Sequence, residues 1–166
     1  MRHVPLVPGF EAPRALVLGG IRLAVLGLAD LEPDFAAVTE SEAELLGLFG
    51  GDWPRGLTRH DDAVDLGWHE REFRIATSFA WSLWAGDAYV GSAYIYRDPD
   101  APGAACAAHW FRTGFADAVA RDGFRAAWRA FVAGWPFERV TFLEPGRAPD
   151  VVHHAAPPGT AGATPS

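Results

Sequence analysis

At 166 residues with 49% hydrophobic content, the chain is long enough for one domain with a substantial core and too apolar to be disordered. Its net charge of −7 argues against unspecific nucleic-acid binding, which rests on neutralising phosphates. Every basic side chain is arginine, which excludes P-loop NTPases, ordinary protein kinases, pyridoxal enzymes and Schiff-base aldolases, all of which need a lysine amine.

The single cysteine, Cys106, rules out an internal disulfide and a multi-cysteine zinc site; among alanines it reads as an inert core thiol. The longest apolar run, 15–29, is interrupted by Arg22 and too short to cross a bilayer. Residues 1–5 lack the pattern of a secretory signal, so the expected setting is cytoplasmic, with no membrane partner.

In chain order, residues 1–20 read as an extended N-terminal arm, with three prolines and Gly9 in the first fourteen positions. Ile21 to Leu28 is apolar on both faces, as in a strand covered on two sides. Phe35 to Phe49 reads as one or two short helices capped by Thr39 or Ser41, with Gly50-Gly51 as the stop. Thr58, with Asp61 three residues on, opens a helix that runs to about Ile75. On its wheel Val64, Trp68 and Ile75 form one apolar cluster and Leu66 and Phe73 another, with Asp65, His69 and Glu72 in a polar stripe between them. That stripe is either a substrate-facing strip or a solvated surface whose carboxylates support His69.

Phe79 to Leu83 and Tyr89 to Tyr96 alternate with period two around Gly86-Asp87, the signature of an antiparallel hairpin with a II′ turn. A third strand spans Ala104 to Arg112, and a helix from Phe115 to Ala133 follows Gly114, interrupted by Gly123. Its Arg121, Arg125 and Arg129 form a basic ridge with Asp117 and Asp122 in pairing range; the ridge is either solvated or a cradle for an anion. Gly134 in the C′ position and Pro136 end the helix, and Val140 to Leu143 is the last strand. Residues 145–166, including His153-His154, read as a disordered tail.

The order strand, helical pair, three antiparallel strands, helix, strand resembles the GCN5-related N-acetyltransferase (GNAT) superfamily. Residues 65–73, Phe79-Ala80-Trp81, residues 91–96, Trp110-Phe111-Arg112 and Trp135-Pro136-Phe137 are similar to a bacterial branch of it. The resemblance spans roughly Ile21 to Leu143, within an expected domain over 21–144. It implies an α+β fold, a mixed and mostly antiparallel sheet flanked by helices on both faces. The sheet is expected to open between the third strand of the hairpin region and the last strand to admit acetyl-CoA. The cofactor-binding residues it implies are Trp110, Phe111, Arg112, Gly114, Phe115 and Arg121, with a helix N-terminus receiving the pyrophosphate.

The chain departs from the pattern in three places. Arg112-Thr113-Gly114-Phe115-Ala116 is one residue short of the usual pyrophosphate loop, the third strand carries no glutamate base, and no tyrosine follows Tyr96 to act as general acid. His109 and Glu70 are the substitute catalytic candidates, and Trp68, His69, Glu72 and Tyr94 the candidate substrate residues. The expected activity is transfer of an acetyl group from acetyl-CoA to a small-molecule or peptide amine. A cationic acceptor suits the acidic chain, and a homodimer is compatible with the resemblance. The alternative is a catalytically silent module of the same fold that binds a ligand or partner through Trp53, Trp68 and the acidic strip. A metal-assisted hydrolase built on His60, Asp65 and His69 is a third reading.

Overall fold

The computed structural model describes residues 3–154. A seven-stranded sheet runs in chain order: β1 (Ala15–Leu18), β2 (Ile21–Val25), β3 (Phe79–Ala85), β4 (Ala88–Arg97), β5 (Ala105–Phe111), β6 (Arg139–Leu143) and β7 (Asp150–His153). All neighbours pair antiparallel except β5 and β6. Helices α1 (Leu31–Glu40), α2 (Glu42–Leu45) and α3 (Arg59–Arg74) lie between β2 and β3 in the chain, and α4 (Ala118–Ala133) connects β5 to β6. A helical crossover is what makes that one pair parallel. Among the described residues no helix is long and apolar enough to cross a membrane.

The alternation along β3 feeds two cores, one on each face of the sheet. Phe79, Trp81 and Leu83 pack with Phe124, Trp128 and Val132 of α4. Ala80, Tyr94, Ala108 and Trp110 face Leu26, Val38, Leu45 and Leu66 on the other side. Central strands therefore bury both faces, and the hairpin and third strand of the sequence reading form as expected, with Gly86 at φ 58° in the turn.

Differences from the sequence reading have local causes. α1 starts at Leu31 rather than Phe35, because Pro33 sits in the first turn, where its missing N–H leaves no bond unmade. Thr39 lies inside α1, and Ser41 makes no side-chain cap. The end of the arm, Ala15–Leu18, is a strand paired with β2. α3 keeps its Thr58–Asp61 capping box but buries only the Leu66 and Phe73 side; Val64 and Trp68 are exposed.

α4 starts at Ala118, with Asp117 as its cap, and runs unbroken through Gly123, against which the turn at Gly19 rests. Gly134 ends α4 in a right-handed conformation, φ −76°, and not in the left-handed one expected of a C′ glycine. Part of the expected tail is ordered: Asp150–His153 pairs with β6, and Val152 packs against the α4-side core. Residues 155–166 of that tail lie outside the described residues.

Candidate active site

β5 and β6 stay in register from Ala105–Val140 to Ala108–Leu143 and then part, although β5 continues to Phe111. β5 remains paired to β4 throughout. The Arg112 N–H donates to the Val90 carbonyl at 2.8 Å, so antiparallel alternation turns the backbone of His109 and Phe111 toward β6; the Ala108–Leu143 pairing takes up the His109 N–H, and the Phe111 backbone beyond it faces the gap. A V-shaped opening is thus edged by the His109 C=O and the Phe111 N–H and C=O, beyond the last pairing with β6.

Glu144, immediately after β6, stands at this opening. It accepts from Arg125 Nε at 2.9 and 3.0 Å, and its Oε2 lies 3.3 Å from His109 Nε2. Burial alone raises the Glu144 carboxyl, but contact with His109 and Arg125 outweighs it and brings the group down to about 2. Burial pushes the His109 ring below the ordinary imidazole range against the pull of Glu144. With the ring neutral, Arg125 is the cation that keeps Glu144 ionised.

The turn that follows β5 is docked on the α1–α2 junction. Arg112 grips Glu40 through Nε at 2.8 Å and through its terminal nitrogen at 3.2 Å. The Gly114 N–H donates to the same carboxylate at 3.1 Å, and the Thr113 N–H to Ser41 Oγ at 2.9 Å. A β-carbon at Gly114 would lie 3.1 Å from the Glu40 carboxylate. Fixed N–H donors beside an arginine make an anion site, and here the chain's own carboxylate is the anion.

Arg121 points elsewhere: it donates to the Phe115 carbonyl at 2.6 Å and the Arg112 carbonyl at 2.9 Å, which holds the turn in shape. Phe115 packs on Phe111, ring centroids 5.4 Å apart, and lies in this turn rather than on α4. The helix N-terminus expected at Gly114 is therefore displaced to Ala118, whose first turn Asp117 already caps. The arginines of the basic ridge are paired within the chain at a partly exposed face: Arg125 binds Glu144 and Asp122, and Arg129 reaches Asp150 at 2.7 Å.

Of the expected substrate residues, the structure brings together His69, Glu72 and Tyr94. They line a cavity of about 450 Å³ with Phe49, Trp53 and Tyr96. Trp68 is 54% exposed, under Arg71, and faces away from it. Glu70 is exposed beside Gly27 and Asp30, at the end of β2, three strands from the opening. Among the described residues no group of three His, Cys, Asp or Glu side chains is placed to hold a metal ion, so His60, Asp65 and His69 do not form a centre. Cys106 is buried, and desolvation lifts its thiol to about 11.

Beneath the cavity runs a polar network that sequence reasoning missed. Asp34 accepts from the Tyr89 hydroxyl and lies beside Asp62; Tyr89 also meets Ser92 at 2.7 Å, and Trp110 Nε1 donates to the Tyr94 hydroxyl at 3.0 Å. Burial first, and the neighbouring Asp62 second, raise Asp34 to about 8.

A mixed sheet that opens between a parallel pair, with a helix returning from the opened strand, is the fold of the GNAT acetyltransferases. Among solved structures the chain is similar to RimL, a ribosomal-protein alpha-N-acetyltransferase in complex with coenzyme A, at 13% identity and TM-score 0.61, covering 74% of this chain and 70% of that one. It is also similar to the microcin self-immunity acetyltransferase MccE in complex with acetyl-CoA and AMP, at 11% identity and TM-score 0.62, covering 80% and 74%. A GCN5-related N-acetyltransferase from Brucella melitensis aligns at 16% identity and TM-score 0.56, over 79% and 60%. No family model and no curated protein matches the sequence.

Proposed function

We propose that the chain is an acyltransferase that takes an acetyl group from acetyl-CoA and passes it to an amine. The observation that carries this reading is the opening beyond Ala108 and Leu143, whose free backbone edge leads directly to N–H donors already holding an anion. Those features fit the cofactor: the edge of β5 at His109 and Phe111 suits its amide-rich arm, and the Arg112–Gly114 turn its phosphates. Solved structures of the same fold hold coenzyme A and acetyl-CoA, which supports the same assignment. When bound, acetyl-CoA supplies the activated acyl carbonyl.

The chain's own residues then hold and orient the amine and take its proton. His109 is the base: its Nε2 faces Glu144, so its basic nitrogen is Nδ1, and Arg125 anchors the carboxylate behind it. Holding the two reactants together contributes more than a strong base does, so a neutral imidazole suffices. Glu40 occupies the position of a phosphate, and phosphate binding requires it to swing away; its carboxylate is more than a third exposed.

The test is thiol release and acetylated product with acetyl-CoA and a panel of primary amines. Glu40→Gln is expected to tighten acetyl-CoA binding about three- to tenfold, since a neutral amide competes less well for Arg112 and the Gly114 N–H. No turnover with any amine, together with unchanged affinity in Glu40→Gln, contradicts the reading and favours the silent module.

A further inference from the structure

We propose that the cavity under Phe49 seats an aliphatic ammonium group of the acceptor, a second nitrogen distinct from the one that is acylated. The word acceptor rests on the acyl-transfer reading; the preference for a cation rests on the cavity alone. Its walls are aromatic: Phe49 meets Tyr94 edge-on at 5.4 Å, Trp53 at 5.2 Å and Tyr96 at 6.2 Å. Aromatic ring faces are electron-rich and attract an alkylammonium, most strongly where water is excluded.

The acidic group of the cavity is Glu72. The Ser78 hydroxyl donates to its Oε2 at 3.0 Å and so fixes the carboxylate. Its Oε1 makes no hydrogen bond among the described residues. His69, packed against Tyr94 at 5.5 Å, brings no positive charge, because burial pushes its ring down despite Glu72 and Asp65 nearby. Arg97 lies at the exposed rim, where water screens it. The charge balance of the enclosed part therefore favours a cation.

The position sets the geometry of the ligand. Tyr94 is in register with Ala108, and Ala108 with Leu143, the last row before β5 and β6 part. From β4 to the gap between β5 and β6 is about one and a half strand spacings, roughly 7 Å. An ammonium lodged among the rings is thus offset from the opening, which leaves room for a linker to a second, reacting amine. Two sources carry this chemistry, a small aliphatic diamine and a basic peptide.

Calorimetric titration of the full chain with tetramethylammonium, a cation that cannot be acylated, tests the site without cofactor. Binding is expected in the wild type, about tenfold weaker in Glu72→Gln and in Phe49→Leu. If Glu72→Gln does not fold, Phe49→Leu alone decides. Wild-type binding that neither variant weakens, or no binding at all, overturns the proposal. Competition against the probe by an α,ω-diamine and by a lysine-bearing peptide names the source, and displacement by neither at concentrations that a simple salt does not match also overturns it. Variant-sensitive probe binding in a chain without acetyl transfer leaves this proposal standing and removes the acyl-transfer reading.

Discussion

Asp34→Asn removes the loss of stability that Asp34 imposes as pH rises from the ordinary carboxylate range to about 8. Asp34 is buried, next to Asp62, and these surroundings disfavour its ionised form. Its folded pKa lies above the unfolded one, so the folded chain binds the extra proton throughout that window. Stability is then fully present below the unfolded pKa and falls as pH rises through about 8. Asparagine reproduces the protonated acid: its oxygen accepts from Tyr89, and its amide donates to Asp62. Chemical unfolding at pH 5 and pH 8.5 is expected to show the wild type on the order of a few kcal/mol less stable, relative to the variant, at the higher pH than at the lower. Parallel losses in both proteins would contradict the assignment.

Gly91→Ala has the larger structural effect. Gly91 has φ +157°, next to the irregularity where β4 shifts register against β3 at Leu83 and Trp84. A β-carbon there would lie 1.9 Å from the Trp110 carbonyl oxygen and 3.0 Å from the Phe111 Cα. Both are backbone atoms of a central strand and cannot move aside cheaply. The expected cost is about 4 kcal/mol or more, which lowers Tm by roughly 10 °C. Gly86→Ala, in an open turn with nothing within 4 Å of the added carbon, is expected to cost only about 1 kcal/mol. Equal melting of the two variants in a calorimetric scan would show that β5 yields at Trp110. Because Trp110 and Phe111 border the opening, a folded Gly91→Ala protein is also expected to bind acetyl-CoA less well.

The sheet centre was legible because local chemistry and tertiary placement agree there. Thr58 with Asp61 marks the start of α3, Gly86 the hairpin turn, and the alternation from Phe79 to Trp84 the two buried faces. β7 was not legible: Val151 and Val152 are its only apolar residues, and pairing with β6 and the Arg129–Asp150 bridge supply what its composition lacks. The wheel of α3 shows two apolar patches and cannot say that the Val64 and Trp68 side meets no partner.

The candidate site divides the same way. His69, Glu72 and Tyr94 gather as their helix and strand positions suggest. Glu40 and Glu144 are ordinary acidic residues in the sequence, and only the docking of α1–α2 on the turn after β5, and the parting of β6, give them roles. Asp34 and Asp62 belong to different helices, and Asp62 reads as a favourable first-turn charge on α3; that they share a buried site follows from the packing of α1 on α3.

Isothermal titration of the wild-type chain with acetyl-CoA, alongside Gly114→Leu, addresses the central claim most directly. Saturable binding in the wild type, lost in a variant with unchanged melting, is the result predicted if the Arg112–Gly114 turn receives the cofactor. No heat at millimolar acetyl-CoA, or equal affinity in the variant, would contradict it.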